Sequence, residues 1–198
     1  MLKKALLLLS VLAAAFLGLF IGVAFLRPYA FHGTVLLSEQ PVNDFTLTSM
    51  NGQQVRLSDY RSKIVIIYFG YTYCPDVCPT TLAEIKKAMG LLGPLASDIQ
   101  VIMVTVDPER DTPAVLNSYM TQFDPNFLGL TGTVSEIQNV AAPLGIYFAR
   151  QEGSTGSDYL MEHTASTMVI NQSGLLKLLW AYGTPASDMA EDLKYMLR

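Results

Sequence analysis

Ile64 to Gly70 reads Ile-Val-Ile-Ile-Tyr-Phe-Gly, an apolar run with no polar alternation. β-Branched and aromatic residues in an unbroken run predict a strand covered on both faces, as in a parallel sheet. Gln100 to Val106 repeats the pattern and predicts a second buried strand. Between them, from Thr80 to about Leu92, apolar residues recur at helical spacing, with Glu84 expected in the first turn, where a carboxylate is favoured. Asp111 or Thr112 is expected to cap a further helix that begins at Pro113 and runs to about Phe123. Another helix is expected from about Val134 to Leu144. Strands Thr167–Asn171 and Leu175–Trp180 are joined by Gln172-Ser173-Gly174, and a closing helix runs from Ala186 to Leu197. Upstream, Phe45–Thr48 and Val55–Leu57 flank Asn51-Gly52, a turn dipeptide that predicts a short hairpin. Helices and strands alternate early, and a hairpin with a helix finishes. The pattern is that of an α/β sheet, whose ligand sites usually lie at the C-terminal ends of strands.

A different pattern occupies the N-terminus. Ala5 to Leu26 is 22 residues without a charge. As a helix it covers about 33 Å, enough for the ~30 Å hydrocarbon core of a bilayer. Lys3 and Lys4 precede it, which predicts a cytoplasmic N-terminus and a domain on the extracytoplasmic side. A cleaved signal peptide would have a shorter apolar core and a small-residue cleavage site. Arg27-Pro28-Tyr29 offers none, so an uncleaved anchor over residues 1–27 is expected. Residues 28–42 then read as a juxtamembrane linker and 43–198 as one domain.

With Lys3, Lys4 and Arg27 set aside as flanks of the anchor, ten basic residues face 17 acidic ones, a net charge of −7. Nucleic acid is a poor partner for such a domain, because phosphate binding needs basic patches. Its two cysteines cannot supply a disulfide framework, yet an exported pair is exposed to oxidation.

Those cysteines are the most specific chemical feature. They lie in Tyr71-Thr72-Tyr73-Cys74-Pro75-Asp76-Val77-Cys78-Pro79, directly after the first buried strand. On one helical turn their Cβ atoms would be about 5–6 Å apart, against roughly 3.5–4.5 Å in a relaxed disulfide. The spacing therefore suits a shared metal better than a permanent disulfide. A strained, easily reduced disulfide fits if the segment is looped, as Pro75 and Pro79 suggest. Either way, thiolates ahead of a helix N-terminus gain from its dipole.

Two histidines are available to join them. His32 lies in the linker and is expected to be a plain exposed residue. His163 enters the strand at Thr167, and approaches the cysteine loop if that strand neighbours Ile64–Gly70. It is either a ligand or a satisfied structural histidine. Two thiolates and one imidazole form a soft set that suits Cu(I), with zinc as competitor. A structural zinc normally claims a fourth protein ligand, and no third cysteine exists. Met161 and Met168 read as packing residues.

In these segments the chain resembles the Sco/SenC family of copper-binding, thioredoxin-like proteins. The resemblance rests on Phe31-His32-Gly33-Thr34, Asp44-Phe45-Thr46-Leu47, Tyr71 to Thr81, Val106 to Pro113 and Glu162 to Gly174, in order. The cysteine motif followed by Asp107-Pro108-Glu109-Arg110-Asp111-Thr112-Pro113 is its most specific part. The resemblance implies a thioredoxin-like fold and copper, as Cu(I) or Cu(II), held by Cys74, Cys78 and His163. It implies a metallochaperone that delivers copper to the dinuclear centre of cytochrome c oxidase subunit II, or reduces that centre's cysteines through a redox-active Cys74–Cys78 pair. A copper donor protein or a thiol reductase would be a further partner. Asp107 matches an acidic family position near the site. Glu162 stands where the family pattern leads one to expect aspartate. With no Arg- and Ser-rich transit segment, the expected location is a bacterial cell membrane, crossed once.

A thiol–disulfide oxidoreductase would share the fold, and a redox or copper sensor would share the site. Against a general reductase stand the C-x-x-x-C spacing and Ser166, which occupies the position where thioredoxins carry a proline. A peroxiredoxin would place a threonine three residues before its reactive cysteine, whereas Thr72 is two before Cys74.

Overall fold

The computed structural model describes Lys4, Leu6, Leu9 and residues 12–19, 28–151 and 159–198, with backbone alone at 37–39. Residues 1–30 and Phe31–Arg198 are two separate compact units. In the first, residues 12–19 are helical and expose Leu12, Phe16, Leu17 and Leu19. Among the described residues no helix is long and apolar enough to cross a membrane. The expected Ala5–Leu26 span lies in large part outside them.

The second unit is built on an eight-stranded sheet ordered β1-β10-β9-β4-β5-β6-β2-β3. Its strands are β1 (Thr34–Pro41), β2 (Thr46–Ser49), β3 (Gln54–Arg56), β4 (Ile64–Gly70), β5 (Ile99–Thr105), β6 (Leu128–Thr131), β9 (Thr167–Ile170) and β10 (Leu175–Trp180). A separate pair, β7 (Phe148–Arg150) with β8 (Met161–His163), forms a small antiparallel sheet. The helices are α1 (Val77–Leu92), α2 (Pro113–Phe123), α3 (Val134–Ala141) and α4 (Ala186–Met196).

Burial follows the hydrophobic pattern. All seven residues of β4 are buried, and β4 runs parallel to β5 and antiparallel to β9. With neighbours on both edges and cover on both faces, it is built of apolar and aromatic residues. β10 alternates half-buried and buried residues from Leu175 to Trp180, the signature of a strand with one wetter face. The β4–α1–β5 and β5–α2–β6 crossovers run in the same direction across the sheet. Right-handed connections then bring both helices to one face, where α1 also packs against α4.

Four strands escape the hydrophobic pattern: β1, β6, β7 and β8. The segment read as a linker is corrected by β1, which pairs antiparallel with β10 as an edge strand. Its flanking prolines suggested a loop, but an edge strand leaves one row of backbone N–H groups unused and so accepts proline. His32 is exposed as expected, yet it is not a bystander. Its backbone N–H and that of Gly33 donate to the buried Asp192 carboxylate at 3.0 and 3.1 Å, and its ring meets Glu191 at 3.0 Å. Trp180 Nε1 donates to the same carboxylate at 2.9 Å, so one acid staples the start of β1 to β10 and α4.

The hairpin turn at Gly52 takes φ +77°, as the dipeptide requires. Thr112 caps α2 by accepting from the Val115 N–H, with Pro113 as its first residue. Helix α1 starts at Val77, three residues earlier than expected. Glu84 is therefore mid-helix, where it accepts from the Ala186 N–H at 3.1 Å and ties α1 to α4.

Candidate metal centre

Three elements converge at the C-terminal end of β4. The first is the loop Tyr71–Asp76. The second is the first turn of α1, which carries Cys78. The third is β8, which ends on His163. The strand at Thr167 does neighbour β4, with Thr167 opposite Tyr68, and this register brings the chain ahead of β9 over the cysteines.

Cys74 precedes the helix and Cys78 lies inside its first turn. The Cys78 N–H donates to Cys74 Sγ at 3.4 Å. Asp76 occupies the cap position without a side-chain bond to the backbone, so the Cys74 sulfur takes one of the helix's orphan donors. Pro79 follows within the first turn, where a missing N–H costs no helical bond. Both cysteines are free thiols. Cys78 is fully buried, while Cys74 is partly open to a cleft of about 370 Å³ that His163, Tyr71 and Met161 also line.

The pair shares its protons unequally. The Cys78 thiol donates to Cys74 and, with the backbone N–H groups of Cys78 and Asp76, holds Cys74 down to about 3 against the burial that opposes it. Cys78 is pushed up, first by that neighbouring thiolate and then by burial. Cys74 is thus the sulfur favoured as thiolate and Cys78 the one favoured as thiol.

His163 Nε2 lies 3.6 Å from Cys78 Sγ, and Nδ1 lies 3.2 Å from the Thr164 carbonyl oxygen. A carbonyl can only accept, so Nδ1 carries the proton and the Nε2 lone pair faces the sulfurs, the tautomer a metal ligand needs. Tyr68 and Tyr71 set the ring edge-on, at centroid distances of 6.2 and 5.9 Å. Burial, with the Cys78 sulfur beside it, pushes the Tyr68 phenol far up. Among the described residues no three His, Cys, Asp or Glu side chains are already closed into a metal-ready group. Cys78 meets both of the other two residues, its N–H at Cys74 Sγ and its Sγ at His163 Nε2.

Behind the site lies a carboxylate that the spacing did not reveal. Asp111 is fully buried and accepts from Thr72 Oγ1 at 2.5 Å, the Thr72 N–H at 3.0 Å and Thr105 Oγ1 at 2.6 Å. It pins the cysteine loop to the end of β5. Burial raises its pKa, against the hydrogen bonds from Thr105 and Thr72. Asp107, four residues earlier, is also buried and pairs with Arg110 Nε at 2.5 Å. Gly70 completes the floor. A Cβ there would stand 2.6 Å from the Tyr68 ring and 3.1 Å from Cys78 Sγ.

The SCO1/SenC family model matches residues 36–198. The chain belongs to the SCO1/SenC family. Its fold is similar to that of apo Sco1 from Thermus thermophilus, at 40% identity and a TM-score of 0.77, covering 85% of this chain and 98% of that one. Bradyrhizobium japonicum ScoI, solved with copper bound, is 36% identical with a TM-score of 0.73, covering 79% of this chain and 99% of that one. BsSco, described as having a disulfide switch and as a member of the Sco family of cytochrome c oxidase assembly proteins, is 26% identical with a TM-score of 0.65, covering 80% and 94%. The thioredoxin-like α/β fold expected of a Sco protein is thus the fold observed.

Proposed function

We propose that this SCO1/SenC protein binds one copper ion through Cys74, Cys78 and His163 and hands it to the dinuclear copper centre of cytochrome c oxidase subunit II. The observation that carries the reading is the 3.6 Å approach of His163 Nε2 to Cys78 Sγ. Two sulfurs and one imidazole are a soft donor set that suits Cu(I) and admits Cu(II). The copper-bound Bradyrhizobium relative and the role given to BsSco support copper and the oxidase as cargo and destination. Three protein donors leave room for an incoming thiolate, so the cargo can leave by ligand exchange. The partly open Cys74 is the sulfur a partner meets first. A copper donor would load the site by the same exchange in reverse.

The anchor belongs to this reading. Residues 1–27 tether the domain to a bacterial cell membrane with Phe31–Arg198 on the extracytoplasmic side. Support comes from the uncharged run Ala5–Leu26 and from the apolar side chains that residues 12–19 expose. An intact Met1 in the membrane-bound protein is expected, and an N-terminus near residue 30 would contradict it.

A second reading is favoured by one observation, the contact of the two cysteines, with the Cys78 N–H 3.4 Å from the Cys74 Sγ that is favoured as thiolate. Attack of the Cys74 thiolate on a partner's disulfide forms a mixed disulfide and releases one partner thiolate. Cys78, giving up its proton, then displaces Cys74's partner sulfur, leaving the partner as a dithiol and this chain with a Cys74–Cys78 disulfide. An external thiol reductase would restore it. Deletion of the gene separates the two readings. Under copper delivery, oxidase activity falls and added copper restores part of it; rescue by added thiol reductant but not by copper would favour the reductase.

A further inference from the structure

Tyr159 lies four residues before His163, and its ring is held between two guanidinium groups. Arg110 Cζ and Arg150 Cζ each stand 3.5 Å from the ring centroid. Two carbons so near one centroid occupy opposite faces, each in the geometry of a cation–π contact. The Tyr159 hydroxyl donates to Asp107 Oδ1 at 2.7 Å, while Asp107 Oδ2 accepts from Arg110 Nε at 2.5 Å. Asp107 is itself fixed, because its N–H donates to Thr105 Oγ1 at 2.9 Å. Tyr159 and Asp107 are 6% and 2% exposed, so water offers little competition for the bond. The bonded phenol is pushed up to about 12, by burial first and then by Asp107.

The position of this contact gives it meaning. Asp107 follows β5 and Cys78 follows β4, and those strands are parallel neighbours. The β7–β8 hairpin is no part of their sheet, so no main-sheet ladder sets where it sits. Four extended residues span about 13 Å, the reach from Tyr159 to His163. One end of this stretch is bonded at the tip of β5, and the other presents an imidazole at the tip of β4.

We propose that the hydrogen bond from Tyr159 to Asp107 is a positioning contact that holds the His163 arm over the two cysteines. Tyr159 touches no donor atom. It fixes the start of the strand whose end carries the imidazole, and the Asp107 carboxylate is the anchor. The inference rests on His163 being a copper ligand.

The test uses full-length protein as wild type, Tyr159→Phe, His163→Ala and the double variant. Cu(II) is titrated and followed by electron paramagnetic resonance, and hydrogen exchange of the apo proteins is read at the Thr164 N–H, which donates to the Tyr147 carbonyl at 3.0 Å across the hairpin. Phenylalanine keeps the ring between the guanidiniums and removes only the hydroxyl. Tyr159→Phe is expected to weaken Cu(II) about tenfold, in the range of contacts that orient a ligand, to speed exchange at Thr164, and to add nothing once His163 is alanine. Equal weakening with and without His163 would overturn the proposal, as would no weakening while His163→Ala weakens. Full Cu(II) affinity in His163→Ala would instead overturn the ligand assignment, and the proposal with it. Asp107→Asn weakens the same bond from the acceptor side and, should Tyr159→Phe not fold, carries the same expectations.

Discussion

Cys78 and His163, 85 residues apart in sequence, bring their Sγ and Nε2 atoms to 3.6 Å. The contact is made by topology. Antiparallel pairing of β9 with β4 returns the chain to the strand that launched the cysteine loop, and β8 delivers the imidazole just before that return.

The unequal sharing of protons predicts selective chemistry. Cys74 is held down to about 3, so its thiolate persists as pH falls from neutrality, while Cys78 keeps its proton. Iodoacetamide applied to reduced protein at pH 5 is expected to label Cys74 alone, at a rate little changed up to pH 7, as peptide mass mapping would show. In Cys78→Ala the donating thiol is gone, and labelling of Cys74 should slow and rise with pH. Equal labelling of both thiols at pH 5 would contradict the assignment.

Asp111 carries three hydrogen bonds in the dry space behind the loop. Asp111→Ala strands Thr72 and Thr105 and is expected to cost about 2–4 kcal/mol, the range for breaking a buried network. A lowered midpoint in chemical denaturation checks the cost. Because the loop start is freed, copper affinity should fall as well, although Asp111 is no ligand.

Gly70→Ala places a methyl group against the Tyr68 ring and Cys78 Sγ. Overpacking of this kind costs about 1–3 kcal/mol. The expected outcome is a folded but less stable protein with a shifted Cys78 and weaker copper binding. Unchanged thermal stability would show that the floor of the site yields more easily than its packing implies.

Two strands over from β4, Asp192→Ala leaves the N–H groups of His32 and Gly33 and the Trp180 indole without their carboxylate. A loss of about 3 kcal/mol is expected, since each buried donor left unsatisfied costs about 1–3 kcal/mol. The chain has one tryptophan, so a red shift in its emission reports the change directly.

Much of this architecture was legible before any coordinates. β4, β5, the β9–β10 hairpin, the Asn51-Gly52 turn and the Thr112–Pro113 helix start each carry a strong local signal: full burial, strict alternation, or a residue type that only one backbone geometry favours. β1, β6, β7 and β8 carry weak ones. β6, β7 and β8 are only three or four residues long, β1 is half polar and ends on proline, and all four exist because a partner strand lies beside them. The same division holds at the site. Cys74 and Cys78 stand out by their isolation, but the local chain around His163 left it either a ligand or a structural histidine, because its role depends on β9 pairing with β4. The Asp107–Pro113 run was visible as a motif, yet nothing local says that Asp111 reaches Thr72, 39 residues away, or that Asp107 receives Tyr159. Long-range hydrogen bonds leave no period in a sequence.

The central claim is tested most directly by X-ray absorption at the copper edge on the copper-loaded full-length protein, beside the Cys74→Ser/Cys78→Ser double variant. The account predicts one copper per chain with two sulfur neighbours and one imidazole nitrogen, and loss of stoichiometric copper in the double variant. A wild-type shell without sulfur, or one copper per chain retained by the double variant, would contradict it.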